Sequence, residues 1–173
     1  MNSRAPQGQL THRPNAAQRA LQPILRTRPS SWFLARTLHH LDQPVLRLTG
    51  GRHSLTSLLA GLPVVIVTTI GAKSGQPRSV PLAAVPDGEN VILIASNWGQ
   101  DHHPAWYYNL RAHPEVQLTY EGQTVTYLAR ETTGEERERC WQRAGDLYSG
   151  YPRYRQRAGN RKIPVMLLTP SGD

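Results

Sequence analysis

Two stretches of the 173-residue chain concentrate side chains that can bind a ligand or carry a reaction. In the first, Gly71-Ala72-Lys73-Ser74-Gly75 is followed closely by Arg78. Glycines tolerate positive φ and let backbone N–H groups approach an anion. Lysine adds a mobile point charge, and arginine a planar fork that fits phosphate or carboxylate. A solvated hairpin tip accounts for the same residues equally well. In the second stretch, Ser96-Asn97-Trp98-Gly99 follows directly on an apolar run. Ser and Asn offer hydrogen bonds to the polar edge of a ring, and Trp a flat apolar wall. Trp106 and Asn109 come next; Trp106 with Leu110, four residues on, also reads as core. Further along, Tyr148, Tyr151 and Tyr154 are spaced by three. On a helix Tyr151 and Tyr154 share a face. Their hydroxyls suit a substrate pocket or a proton donor, and their rings suit packing of a helix on a sheet.

Other chemistries lack their cues. There is no GxGxxG, GxxxxGK[ST] or GxSxG pattern, so dinucleotide-fold, P-loop and hydrolase-elbow readings have no starting point. His39-His40 and His102-His103 are adjacent pairs, which point apart and are poor metal spacings; no metal site is expected. The lone Cys140 excludes an internal disulfide, and its charged helical setting suggests an inert thiol.

The elements that must position these residues follow from periodicity and turn residues. Residues 62–69 form a β-branched strand and 76–85 a second one. Pro77 and Pro81 cannot donate to a ladder, which places that second strand at an edge or makes it irregular. Pro86-Asp87-Gly88-Glu89-Asn90 signals a turn before a buried strand at 91–95. A helix is expected over 104–112, opened by Pro104. Strands at 115–120 and 124–131 precede a helix to about Leu147, where Thr132 and Glu135 have capping-box spacing. A tyrosine-rich helix at 150–157 and a last strand at 163–169 complete the pattern. Meander order with few helices predicts an α+β domain around a small antiparallel barrel of about six strands with peripheral helices.

The formal charge of +8 is uneven. Residues 1–41 hold six arginines and no acid, while residues 42–173 carry a net of +2. The folded part therefore lacks the basic balance of a nucleic-acid binder. Residues 1–30 read as a basic, mobile arm, and 31–173 as the domain, beginning with an amphipathic helical stretch around Trp32, Phe33, Leu34, Leu38 and Leu41. A basic, Trp-bearing surface suits an anionic membrane face. With no apolar run of bilayer length and no secretory signal, the expected location is cytoplasmic, with peripheral contact at the inner face of the membrane.

The motifs together resemble a known family. T-T-x-G-x-K-S-G-x-x-R-x-x-P, then A-S-N-x-G-x-x-x-H-P-x-W-Y-x-N-L-x-A-x-P, then Y-x-x-Y-x-x-Y and a final I-P-V strand are similar to the deazaflavin (F420)-dependent nitroreductases and quinone reductases, over about residues 37–169. The resemblance implies a split β-barrel of the FMN-binding type. It implies reduced coenzyme F420 as hydride donor to a quinone or nitro compound. By position, Lys73, Ser74, Gly75 and Arg78 would hold the phosphate and anionic tail. Pro81, Ala95, Ser96 and Asn97 would line the ring, Trp106 and Asn109 would support the loop, and Thr69 and Val80 belong with the cofactor-binding set. Ser96, Tyr148, Tyr151 and Tyr154 would polarise or protonate the acceptor. Relatives usually have a basic residue where this chain has Ala72, so one tail charge is missing, with Arg52 and Arg111 as candidates to replace it. FMN on the same barrel, or a non-catalytic barrel that carries an apolar ligand, are the alternative readings. The oligomeric state, monomer or dimer, is left open by the sequence.

Overall fold

The computed structural model describes residues 63–172. The expected arm, the amphipathic helical stretch around residues 32–41 and Arg52 lie outside the described residues. In chain order the elements are β1 (Val64–Ile70), β2 (Pro77–Ala83), β3 (Val85–Asp87), β4 (Asn90–Ile94), α1 (Ala105–Ala112), β5 (Glu115–Tyr120), β6 (Gln123–Glu131), α2 (Gly134–Leu147), α3 (Gly150–Arg157) and β7 (Val165–Pro170). A single 3-10 turn at Asn97–Gly99 lies between β4 and α1.

All neighbouring strands are antiparallel, in the order β2-β1-β5-β6-β7-β4-β3. The two outermost strands, β2 and β3, are joined in sequence by Ala84 alone. Ala84 is fully buried, and its N–H bonds to the Pro63 carbonyl at 2.8 Å. A sheet whose opposite edges are one residue apart must curl, and this curl is the split barrel. The prolines sit where a ladder tolerates them: Pro77 and Pro81 on one edge strand and Pro86 on the other.

The sequence predicts about six strands; among the described residues there are seven. The extra one is β3, formed where a turn was expected from Pro86. Pro86 and Asp87 pair with Val91 and Asn90, and the turn contracts to Gly88-Glu89, with Gly88 at φ +66°. On an edge strand the missing proline donor costs no ladder bond, so the chain keeps its extended path.

Strand alternation sorts the core into two layers. Val65, Val67, Val91, Leu93, Val116, Leu118, Tyr127, Ala129, Met166 and Leu168 face into the curl, where Trp106, Tyr107 and Leu110 of α1 close one end. Ile92, Ile94, Val165 and Leu167 point outward and are covered by Cys140, Trp141 and Ala144 of α2 and the tyrosines of α3. Each fully buried Leu or Ile contributes roughly 1.5–3 kcal/mol of apolar transfer. The two layers share β4 and β7, which are thus buried on both faces and read as continuous apolar runs.

The capping box expected from Thr132 and Glu135 does not form. Thr133 occupies the N-cap of α2 without a side-chain cap, while Thr132 Oγ1 donates to the Val165 carbonyl at 3.0 Å. Thr132 is buried, so satisfying its hydroxyl against β7 outweighs capping at the surface. Pro104 likewise stands one position earlier than expected, as the extended N-cap of α1 rather than a residue of its first turn.

Candidate active site

The basic turn closes the β1–β2 hairpin. Gly71 N–H donates to the Gln76 carbonyl at 2.9 Å and Gly75 N–H to the Gly71 carbonyl at 2.8 Å. Gly75 adopts φ +63°, which explains a glycine there. The Ala72 and Gln76 N–H groups are also engaged, with Asn109 Oδ1 at 3.0 Å and Ser74 Oγ at 3.4 Å. Four of the turn's amides therefore have partners within the fold. What remains for a ligand is the exposed side-chain set of Lys73, Ser74 and Arg78. Thr69 pairs with Arg78 and Val67 with Val80 across the ladder. Arg78 is thereby on the same face as Val80 and the buried Thr69, at the end of β1 where α1 docks through Asn109. Pro81 pairs with Ile66 and points the other way, so Val80 and Pro81 do not share a wall.

The second stretch leaves β4 through a strained loop. Asn97, Trp98 and Gly99 have φ of +47°, +58° and +79°, three left-handed residues in succession. For asparagine this is tolerable; for tryptophan it is costly, and such conformations persist where the surroundings over-determine them. Two backbone bonds hold the turn, Gly99 N–H to the Ser96 carbonyl at 2.9 Å and Gln100 N–H to the Asn97 carbonyl at 3.0 Å. Asn97 Nδ2 donates to the His102 carbonyl at 3.1 Å. Gly99 lies against α3: a Cβ there would stand 2.8 Å from Arg157 Cβ and 3.1 Å from the Tyr154 carbonyl oxygen. Ser96, Asn97 and Trp98 stay half-buried, while Ala95 is fully buried in the inner layer.

Asn109 joins the two stretches. Its Nδ2 donates to Thr69 Oγ1 at 3.0 Å and its Oδ1 accepts from Ala72 N–H at 3.0 Å. A single side chain on α1 thus ties the end of β1 and the basic turn to the helix that follows the loop. Trp106 is buried in the inner layer as core. Arg111, a candidate replacement for the missing tail charge, stacks over Tyr107 with its guanidinium carbon 5.8 Å from the ring centre.

The three tyrosines form one aromatic cluster in the outer layer. Tyr148, Tyr151 and Tyr154 are 6%, 5% and 3% exposed. Their ring centres lie 5.4–6.3 Å apart, and Trp98 meets Tyr154 edge-on at 6.1 Å. The Tyr148 and Tyr154 hydroxyls are 3.2 Å apart. Burial pushes the Tyr151 and Tyr154 phenols far above their ordinary range, so both are neutral donors at any working pH. The loop containing Ser96 and Asn97 therefore runs from the inner layer, at Ala95, to the tyrosine layer, at Trp98.

Sequence reasoning missed Arg161 and His103. The Arg161 guanidinium donates from Nε to the Gln100 carbonyl at 2.8 Å, from Nη1 to the Ala95 carbonyl at 3.2 Å and to His103 Nδ1 at 2.9 Å, and from Nη2 to the Ser96 carbonyl at 2.6 Å. The one available signal was its place, two residues before the buried I-P-V strand that pairs with β4.

A family model described as F420H(2)-dependent quinone reductase matches residues 38–170. An F420H(2)-dependent quinone reductase of Mycobacterium tuberculosis is 31% identical over 136 residues, covering 76% of this chain and 89% of that protein. Among solved structures, an F420-H2 dependent reductase is 39% identical with TM-score 0.57, covering 61% of this chain and 93% of that one. A chain described as a domain-swapped dimer is 36% identical with TM-score 0.59, covering 81% of this chain and 98% of that one.

Proposed function

The chain belongs to the F420H(2)-dependent quinone reductase family, and on that premise we propose that the β1–β2 turn grips the cofactor's anionic tail while residues 95–97 seat its ring. The protein is an oxidoreductase and its cofactor is coenzyme F420. Bound and reduced, F420 supplies the hydride. The observation that carries the division of labour is Asn109, which fastens the exposed Lys73 and Arg78 turn to the helix leading out of the Ser96–Asn97 loop. An anionic, ring-bearing ligand fits this arrangement: cations at the rim of the curl, an apolar wall with Val80 inside it, and hydrogen-bonding side chains at Ser96 and Asn97.

The remaining residues have distinct tasks. Thr69 and Asn109 fix the rim, and Trp106 and Ala95 back the site as core. Ser74 and Gly75 shape the turn that presents Lys73. Pro81, which points away from Val80, supports β2 at the edge. Ser96 is the donor to the acceptor's developing negative charge; removing one such donor costs about 10²–10³ in rate. Tyr148, Tyr151 and Tyr154 exclude water from the acceptor side, and their hydroxyls polarise or protonate the acceptor. The acceptor is an electron-poor ring, a quinone first and a nitro compound second.

The test is direct. Reduced F420 mixed with the protein and menadione should lose its electrons to the quinone, followed as recovery of the oxidised cofactor's visible band. A protein that neither turns over nor binds F420 would end this reading. The six arginines and absent acids of residues 1–41 further support contact of the arm with anionic lipid, where apolar quinones dissolve. Among the described residues no helix is long and apolar enough to cross a membrane. Full-length protein should co-sediment with vesicles containing phosphatidylglycerol, and a variant lacking residues 1–41 should not; equal recovery of both in the supernatant would refute the membrane role.

A further inference from the structure

Arg161 occupies the short link between α3 and β7, yet four of its hydrogen bonds run to a segment about sixty residues earlier. All four acceptors lie in residues 95–103. Three are backbone carbonyls, at Ala95, Ser96 and Gln100, and the fourth is the His103 ring. They bracket the three left-handed residues Asn97, Trp98 and Gly99. A loop held in that conformation needs restraint from outside itself. Contact of Gly99 with α3 supplies one restraint, and the guanidinium supplies the other. Guanidinium is the group suited to this: five N–H donors in a fixed plane can bind several carbonyls at once, which an ammonium cannot do with the same geometry.

We propose that Arg161 is the positioning residue of the ring-seating loop, holding Ala95–His103 in the one shape that presents Ser96 and Asn97 to the cofactor ring. This rests on the reading of the site given above. His103 is the side-chain member of the clamp. Arginine has no acceptor, so His103 Nδ1 accepts and the neutral ring carries its proton on Nε2. A proton on Nδ1 would set N–H against N–H and charge against charge. Burial first, and the Arg161 charge second, hold His103 below the usual imidazole range. The groups around it are Arg161 from the α3–β7 link, His102 beside it in the loop, Arg111, Tyr107 and Tyr108 from α1, and Glu131 from β6. Glu131 alone of the charged groups favours protonation, and Asp101 acts on Arg161. The clamp is therefore complete at neutral pH and loosens as pH falls through the depressed His103 value.

The experiment compares wild type with Arg161→Lys, which keeps the charge and loses the fork, and with His103→Asn, whose Oδ1 replaces Nδ1 as an acceptor that does not titrate. Amide hydrogen exchange of residues 96–103 is measured on cofactor-free protein, and F420 affinity by its fluorescence, from pH 5 to pH 8. Arg161→Lys should speed exchange at 96–103 while leaving β4 and β7 protected, and weaken F420 binding by about tenfold or more, the scale of one or two charge-assisted hydrogen bonds. Wild type should lose affinity toward pH 5, and His103→Asn should flatten that loss. If Arg161→Lys exchanges and binds as wild type does, or exchanges faster yet binds equally well, the proposal is overturned and the proposed function stands. If Arg161→Lys does not fold, an unchanged pH profile in His103→Asn overturns the proposal. Wild type that binds no F420 would overturn the functional reading and this inference together, a result told apart from the others because wild type itself fails.

Discussion

Lys73 and Arg78 are the exposed cationic side chains of the β1–β2 turn, and the proposed grip on an anionic tail depends on them. With Ala72 beside Lys73 and Arg111 stacked on Tyr107, few charges share the task. Lys73→Ala should therefore weaken F420 binding by about tenfold while leaving the hydride-transfer rate at saturation nearly unchanged, since on the proposed reading the lysine meets the tail and residues 95–97 the ring. Titration of F420 fluorescence at low and high salt, with single-turnover rates, checks this. Equal affinity in wild type and variant would rule out the role. The sequence made Lys73 legible because a glycine-flanked cation in a hairpin turn is a local pattern. It did not show that Gly71, Ala72, Gly75 and Gln76 spend their amides within the fold, because those partners depend on hairpin register and on Asn109, 37 residues away from Ala72.

At the level of elements, the decisive joint is the 3-10 turn against α3. Gly99 is required twice over, for φ +79° and because a methyl group would press on the Arg157 side chain and the Tyr154 backbone. Gly99→Ala should cost about 1–3 kcal/mol of stability and displace Trp98 from Tyr154. Urea unfolding followed by tryptophan fluorescence reads both effects, and an unchanged midpoint would show that the turn is free to move. Most element positions were legible in the sequence: β5, α2 and α3 follow from periodicity and turn residues. β3 was not, because Pro86 is a turn signal that an edge strand overrides. The Thr132 capping box failed for a similar reason: spacing suits a cap, but burial against β7 gives the hydroxyl a nearer claim.

For the whole molecule, the tyrosine layer links packing to pH. Burial raises Tyr151 and Tyr154 above the ordinary phenol value of 10.0. The folded state holds these protons more tightly than the unfolded chain does. Their stabilisation is thus complete below about pH 10 and is lost as pH rises from there toward the folded values. Thermal stability should fall above about pH 10, and the fall should be shallower in Tyr151→Phe/Tyr154→Phe. The pH–rate profile should show no limb from Tyr151 or Tyr154 between about pH 6 and 9, because neither phenol ionises there. Circular-dichroism melts across pH 8–11 test the first point, and a double variant as alkali-sensitive as wild type would contradict it.

The sequence alone determined what local pattern can carry: six of the seven strands and the helices among the described residues, the cationic turn, the Ser96–Asn97 loop and the family to which these motifs belong. Tertiary structure decided the rest. It placed Pro77, Pro81 and Pro86 on the outer strands of one sheet and joined those strands through Ala84. It set Val80 and Pro81 on opposite faces. It turned three tyrosines from a row into a buried cluster, and it delivered Arg161 to the loop that begins at Ala95. These outcomes share a physical cause. Periodicity and propensity act over a few residues, whereas the hydrogen bonds of Arg161, Asn109 and Thr132 span 33 to 66 residues and exist once the sheet has curled.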